Sequence, residues 1–75
     1  MVIEKITKEK AISLRLPFLL SHISTAPEEA DYYLLSVDKI LSVYFVVAIV
    51  LFNNVLFITD EDYRKDVEKY LEVSN

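Results

Sequence analysis

VYFVVAIVLFNNVLFIT, residues 43–59, is the stretch that decides the fold of this 75-residue chain. Val43 to Phe52 is a ten-residue apolar run rich in valine and isoleucine, and a second run follows from Val55 to Thr59. β-Branched and aromatic runs are typical of strands. The Asn53-Asn54 pair between them suits a two-residue type I′ turn, which needs positive φ at both positions, because asparagine tolerates that region when glycine is absent. The stretch therefore predicts a β-hairpin.

Both faces of this hairpin are apolar. Alternate residues of a strand face opposite sides of the sheet, so a turn at Asn53-Asn54 divides the side chains into two sets. The first set should face the helices and the core; it comprises Val43, Phe45, Val47, Ile49, Leu51, Leu56 and Ile58. The second set should line the open face of the sheet; it comprises Tyr44, Val46, Ala48, Val50, Phe52, Val55, Phe57 and Thr59.

An antiparallel sheet with one solvated face normally alternates apolar and polar residues, and this hairpin does not. An open face of this kind approaches the size of apolar patch that monomers rarely leave in water. We therefore expect that the open face is buried, either in a homodimer formed by sheet-on-sheet packing or against another protein. The predicted interface residues are Tyr44, Val46, Val50, Phe52, Val55 and Phe57.

The remaining elements follow from local patterns. Val2–Ile6 and the alternating Ala11–Leu16 predict two short strands, the second ended by Pro17, and the segment Phe18–Ser24 predicts an apolar loop. Thr25-Ala26-Pro27-Glu28 matches a capping box, and the spacing of Ala30, Leu34, Val37 and Leu41 predicts an amphipathic helix to about Ile40. Thr59-Asp60-Glu61-Asp62 predicts a second cap, followed by a helix with the stripe Tyr63, Val67, Tyr70 and Leu71.

Together these elements predict one α+β domain over residues 1–75, a ferredoxin-like two-layer sandwich. Two helices would cover one face of a three- to four-stranded, mostly antiparallel sheet. A parallel, right-handed βαβ connection would run from the Ala11 strand through the first helix. It would place the Ala11 strand beside the Val55 strand, with the Val43 strand and Val2–Ile6 at the edges.

Composition excludes several classes of function. The chain has no cysteine and no glycine, so disulfides, thiolate metal sites, and the glycine-rich loops of P-loop and dinucleotide-binding proteins are impossible. Its formal net charge is −4, and the basic residues are scattered, which disfavours nucleic-acid binding. The N-terminus lacks the pattern of a secretory signal, so we expect a cytoplasmic protein.

The candidates for chemistry are weak. His22 is the single histidine, and one imidazole without fixed companions is neither a metal site nor a convincing general base. The acidic groups Glu28-Glu29-Asp31 and Asp60-Glu61-Asp62-Asp66 stand at predicted helix N-termini, where negative charge is favourable without a bound cation. We therefore expect a chain that is not an enzyme, with no catalytic residue, cofactor or metal ligand.

Four segments resemble the heavy-metal-associated domains of metal chaperones and metal-transporting ATPases, in their cysteine-free variants. The segments are Ile12–Pro17, Leu35–Val43, Asn53–Ile58 and Asp66–Leu71. The resemblance implies a βαββαβ module and an accessory or regulatory role in metal transport. The metal-binding Cys-x-x-Cys loop of that family corresponds to about Leu19–Ser24, which holds only His22, so the resemblance carries over no metal ligand and disfavours metal binding.

A small membrane protein is the alternative. Ile40 to Ile58 spans 19 residues, of which only Ser42, Asn53 and Asn54 are polar, and this is close to the length that a helix needs to cross a bilayer. The adjacent amides would cost roughly 1–3 kcal/mol each if unpaired in hydrocarbon, whereas they suit a turn. The hairpin is therefore the preferred interpretation.

Overall fold

The predicted hairpin forms half of a four-stranded sheet in the computed structural model, which describes residues 1–74. A short 3₁₀ turn at Glu61–Tyr63 precedes the last helix. The elements, in chain order, are β1 (Val2–Ile6), α1 (Lys8–Ser13), α2 (Leu19–Thr25), β2 (Asp31–Lys39), β3 (Ser42–Leu51), β4 (Asn54–Ile58) and α3 (Arg64–Ser74).

The strands lie in the order β1-β2-β3-β4, and each neighbouring pair is antiparallel. The longest ladder joins β2 to β3, from Asp31 opposite Val50 to Lys39 opposite Ser42. The predicted α+β class and the open antiparallel sheet are therefore confirmed. The predicted parallel βαβ connection is wrong, because the sheet is a meander to which Ala11–Leu16 contributes no strand.

Residues 8–13 form a helix because a hydroxyl caps its first turn. The Thr7 side chain accepts a hydrogen bond from the Lys10 amide at 3.0 Å, and Ala11 is fully buried. The alternation of Ile12, Leu14 and Leu16 suggested a strand. In the structure Ile12 lies at the surface, while Leu14 and Leu16 pack on the core from the end of α1 and the connection that follows.

The helix predicted from Thr25 to Ile40 is also wrong, because most of this segment is strand β2. The Thr25 hydroxyl bonds back to the Ser21 and His22 carbonyl oxygens of α2, so it does not cap a following helix. β2 lies between two strands and buries residues on both faces. Its apolar residues therefore occur consecutively, as in Tyr32-Tyr33-Leu34-Leu35, and such a run does not distinguish a central strand from a helix by periodicity.

Helices cover both faces of the sheet, which corrects the prediction that they share one. α1 and α2 pack on the face that presents Tyr32, Leu34, Val47 and Ile49; this is the α1–α2 face. α3 places Val67 and Leu71 against the opposite face, the α3 face, which presents Leu35, Val46, Ala48, Val50 and Ile58. Each face of the sheet therefore has its own core.

The turn between β3 and β4 lies one residue earlier than predicted. Leu51 pairs with Asn54, so the two turn residues are Phe52 and Asn53, with φ of 49° and 65°. An irregularity between Ile49 and Val50 then shifts the register, and Phe57 lies opposite Ile49 on the α1–α2 face. Phe57 was predicted on the same face as Val50, and the bulge moves it to the other side.

Candidate interaction surface

One apolar stripe of β3 runs from the core out into solvent. Alternate residues on the α1–α2 face are Ile49, Val47, Phe45 and Val43, and the stripe continues to Leu41 in the adjoining turn. Ile49 and Val47 are 1% and 0% exposed, and the exposed fraction then rises to 40% at Phe45, 50% at Val43 and 101% at Leu41. The same kind of side chain is therefore buried at one end of the strand and bare at the other.

The helices that cover this face are too short to cover the stripe. α1 has six residues and α2 has seven, so each is about 9–11 Å long at 1.5 Å per residue. β3 has ten residues and extends for roughly 33 Å. The helices protect the Val47 end of the strand and leave the Val43 end open.

The exposed end extends across the sheet to its first strand. Val2 lies opposite Ser36, and Ser36 lies opposite Phe45, so the three form one row on the α1–α2 face. Val2 is exposed, as are both residues of the β2–β3 turn, Ile40 and Leu41. We call this set, Val2, Ile40, Leu41, Val43 and Phe45, the distal apolar surface.

The turn at the tip of the distal apolar surface is strained. Leu41 has φ of 64°, the left-handed region that glycine and asparagine enter at low cost and that other residues enter at roughly 1–2 kcal/mol. Ile40 beside it is 93% exposed. Two large aliphatic side chains therefore stand in water at a position where a turn ordinarily carries small or polar residues.

The α3 face ends differently at the same end of the sheet. The Tyr44 hydroxyl donates a hydrogen bond to the Asp60 carboxylate at 3.1 Å, and the Tyr44 ring lies 6.4 Å from the ring of Tyr63. The Lys39 ammonium lies 4.9 Å from the Tyr44 ring centre. The hydrogen bond to Asp60 is the main reason that the pKa of Tyr44 is raised above its ordinary value. Polar groups thus complete this face. On the α1–α2 face the polar residues at this end are Asp38, opposite Val43, and Ser36, opposite Phe45.

A second polar contact holds the entry to α3 against β4. The Arg64 guanidinium donates to both carboxylate oxygens of Glu61, at 2.7 and 2.9 Å, and to the Val55 carbonyl oxygen at 3.0 Å. The hydrogen bond from Arg64 lowers the pKa of Glu61, and the same bond raises the pKa of Arg64. These three residues fix the path of the chain from β4 to α3.

The six predicted interface residues do not form one surface. Val46 and Val50 lie in the core beneath α3, and Val55 is half-buried on the same side. Phe57 is half-buried on the α1–α2 face. Tyr44 and Phe52 are exposed, but they stand near opposite ends of β3. The prediction of an open face failed because α3 covers the side that was expected to be bare.

Sequence reasoning missed all five residues of the distal apolar surface. It assigned Val43 and Phe45 to the core-facing side of the hairpin, whereas both are exposed, and it assigned Ile40 and Leu41 to the end of a helix. The signal that could have revealed Ile40 and Leu41 is the segment Lys39-Ile40-Leu41-Ser42, if it is interpreted as a two-residue turn between two strands. An aliphatic pair is unusual in such a turn.

His22 has a structural role on the α1–α2 face. Its ring lies 3.6 Å from the ring of Phe57, with only 11° between the two planes. His22 is exposed and Phe57 is half-buried, so the imidazole shields one face of the phenyl ring. The contact gives the histidine a packing partner on this face.

The two acidic groups behave differently from each other. The Asp60 carboxylate accepts a hydrogen bond from the Asp62 amide at 3.0 Å and caps the 3₁₀ turn before α3. No helix begins after Glu28-Glu29-Asp31, so the capping role predicted for that group is wrong; Asp31 instead forms an ion pair with Lys5 at 3.3 Å. Within residues 1–74, no three histidine, aspartate or glutamate side chains lie close enough together to hold a metal ion.

An open cleft of about 460 Å³ lies where β1 leads into α1 and β2 begins. Its lining includes Lys5, Lys8, Glu28, Asp31 and Tyr32. Burial raises the pKa of the Tyr32 hydroxyl. The charged groups of the lining comprise two of each sign, and Lys5 is already paired with Asp31. The cleft therefore offers no concentrated charge for an anionic or a cationic ligand.

The chain matches no protein-family model, no curated protein and no solved structure. The helices of residues 1–74 include none with the length and apolar character needed to cross a membrane. The alternative interpretation of residues 40–58 requires a helix there, and the structure forms the β2–β3 turn, β3 and β4 instead.

Proposed function

We propose that the chain is a non-catalytic interaction domain that binds another protein chain through the distal apolar surface. The observation that carries the proposal is the β3 stripe, whose side chains are buried in the core at Val47 and fully exposed to solvent at Leu41. A partner that covers Val43 and Phe45 would extend the existing core without any change of fold.

The extent of the distal apolar surface supports binding as its role. Scattered single apolar residues are normal on a protein surface. Here five lie at one end of the sheet, with Ser36 and Asp38 among them on the same face, and their exposed fractions correspond to apolar surface on the order of 500 Å². A patch of this size is at the upper end of what monomers expose and often serves in recognition.

The contrast between the two faces also supports the proposal. The α3 face ends in Tyr44, Lys39 and Asp60, which make that end of the sheet polar. The α1–α2 face carries Val43 and Leu41 at the same distance along the hairpin, and Asp38, opposite Val43, is the charged residue beside them. Since the two faces belong to the same strands, the difference lies in the choice of side chains.

The non-catalytic part of the proposal rests on how the polar side chains are used. Asp60 caps a turn, Glu61 and Arg64 pair with each other, and His22 stacks on Phe57. These contacts account for Asp60, Glu61, Arg64 and His22 by stability alone. The proposal includes a cytoplasmic location for the domain.

An accessory role in metal transport and a ferredoxin-like fold stay predictions from the sequence. The segment Ile12–Pro17 was matched to a strand, and it lies in α1 and the connection that follows. The segment Leu35–Val43 was matched to a helix end and a strand, and it forms the β2–β3 hairpin. The structure therefore adds no observation that favours the metal-transport role over the interaction role.

Site-specific photocrosslinking in the cells that produce the protein tests the proposal. The photoreactive residue p-benzoylphenylalanine would replace Val43 in the distal apolar surface. In a matched control it would replace Val73, which is 78% exposed on α3. We expect a discrete crosslinked adduct from position 43 and none from position 73. No adduct at position 43, or the same adducts at both positions, would refute the proposed function.

A further inference from the structure

We propose that the partner covers the distal apolar surface with an apolar segment that carries basic side chains, and that these side chains pair with Glu4 and Asp38. This inference rests on the proposed function, because it names the chemistry of the segment that binds the surface described above. Three observations lead to it: the face on which the two carboxylates lie, their lack of a partner within the molecule, and the effect of covering them.

Within residues 1–74, the strands place two charged side chains on the α1–α2 face, and both are acidic. Asp38 lies opposite Val43 on this face, and Glu4 lies on the same face of β1. Both side chains are exposed. The strand lysines, Lys5 and Lys39, alternate to the α3 face. The charge beside the distal apolar surface is therefore negative.

The two carboxylates lie on either side of the row that contains Val2 and Phe45. Glu4 lies in the next row toward the core, opposite Leu34, and Asp38 lies in the next row toward the β2–β3 turn. Since Asp38 follows Leu34 by four positions in β2, the Cα atoms of the two acidic residues are roughly 14 Å apart. A segment that crosses this row meets a negative charge on each side of it.

Neither carboxylate has a partner in the part of the chain that the structure describes. The ion pairs there use the carboxylates of Asp31 and Glu61, and the side chains of Glu4 and Asp38 take part in no hydrogen bond. Their charges are therefore not offset within residues 1–74.

A partner that covers Val43 also removes water from Asp38. Residues directly opposite each other in an antiparallel pair have Cβ atoms roughly 4.5–5.5 Å apart, so one contact covers both. A carboxylate without a partner is costly to bury, and a cation from the partner offsets that cost. Lysine and arginine suit this surface, because their aliphatic stems lie along apolar side chains while their charged ends reach the carboxylates.

A second copy of this chain fits the surface less well than a basic segment does. It presents the same two carboxylates on the same face, and the formal net charge of −4 opposes the approach of two copies. The same net charge attracts a basic segment, and this attraction weakens as salt is added.

Fluorescence anisotropy with two labelled peptides tests the inference on the purified full chain. One peptide alternates leucine with lysine, and the other has glutamate in place of each lysine. We expect the lysine peptide to bind at least about 10-fold more tightly at low salt. Asp38→Lys combined with Glu4→Lys should reverse this preference. Glu68→Lys combined with Glu72→Lys makes the same change of net charge at exposed positions of α3 and should keep the preference for the lysine peptide.

Two outcomes of this titration would overturn the inference. The first is equal affinity of the wild-type protein for the two peptides, or no binding of either up to about 1 mM. The second is a reversed preference in the α3 variant as complete as in the Asp38 and Glu4 variant, which would assign the effect to net charge and not to the surface.

Photocrosslinking at position 43 separates this inference from the proposed function. In the producing cells, Asp38→Lys should lower the yield of the position-43 adduct at least about 10-fold, and Glu72→Lys should leave it within about 2-fold. An equal effect of the two substitutions, or an adduct at twice the mass of the chain, refutes the basic segment and leaves the proposed function standing. The absence of any adduct at position 43 refutes both.

Discussion

The Tyr44 hydroxyl donates a hydrogen bond to the Asp60 carboxylate across 3.1 Å, and this contact joins the exposed end of β3 to the segment that leads into α3. It secures the α3 face at the end of the sheet where the α1–α2 face stays bare. Tyr44 thus keeps the hairpin end attached to the rest of the molecule on one side only.

Tyr44→Phe should change the response of the protein to alkaline pH. The pKa of Tyr44 is raised above 10.0 in the folded protein, so its hydroxyl contributes stability that is complete below pH 10 and is lost as pH rises through the folded pKa. We expect a greater free energy of unfolding for wild type than for Tyr44→Phe at pH 8, and convergence of the two well above pH 10. Urea denaturation at a series of pH values measures both; a constant difference at all pH values would contradict the prediction.

Leu41→Asn should stabilise the fold. Relief of the left-handed conformation of Leu41 is expected to raise the free energy of unfolding by about 0.5–1 kcal/mol. Ile40→Asn is the matched control, because Ile40 is equally exposed and has negative φ, and it should give no gain. Chemical denaturation of the purified protein measures the free energy of unfolding of both variants. An equal gain in both variants would mean that the backbone conformation is not the cause.

Lysine at two positions of β3 should have opposite consequences for folding. Val50 is buried beneath α3, so Val50→Lys places an unpaired charge in the core and should cost about 3–5 kcal/mol, enough to unfold much of a small domain. Val43→Lys should keep the native far-ultraviolet circular dichroism. A folded, soluble Val50→Lys protein would show that α3 does not cover this face.

Loss of the imidazole that stacks on Phe57 should weaken the α1–α2 core. His22→Ala is expected to lower the free energy of unfolding by about 0.5–1.5 kcal/mol. Leu20→Ala on the same helix is the control, since Leu20 is half-exposed and stacks on no ring. Thermal unfolding compares the two. Equal destabilisation would assign the effect to general packing of α2.

The C-terminal half of the fold could be predicted from the sequence, and the N-terminal half could not. β3, β4 and α3 carry signals that agree with one another: a long β-branched run, an asparagine turn and an acidic cap at Asp60. In the N-terminal half the local signals compete. The Thr25 capping box and the helical spacing up to Leu41 both favour a helix, and tertiary pairing with β1 and β3 on either side overrides them.

The candidate surface could be predicted only in part, for a geometric reason. The sequence of β3 shows that the strand has more apolar side chains than one layer of helices covers. Which of them are left bare depends on the position of α3 and on the turn at Phe52, and a shift of one residue exchanges the faces of a strand. The irregularity near Ile49 has no local signature that would have placed Phe57 beside His22.

Within residues 1–74, the residues with positive φ are Arg15, Phe18, Leu41, Phe52 and Asn53, because the chain has no glycine to take such positions. A glycine in such a place presents nothing to the solvent, whereas each of these residues holds a side chain outward. Phe18, Leu41 and Phe52 are consequently large apolar side chains exposed to solvent. Because none of them belongs to either core, their exchange for glycine or asparagine should alter the solubility of the protein and leave its architecture intact.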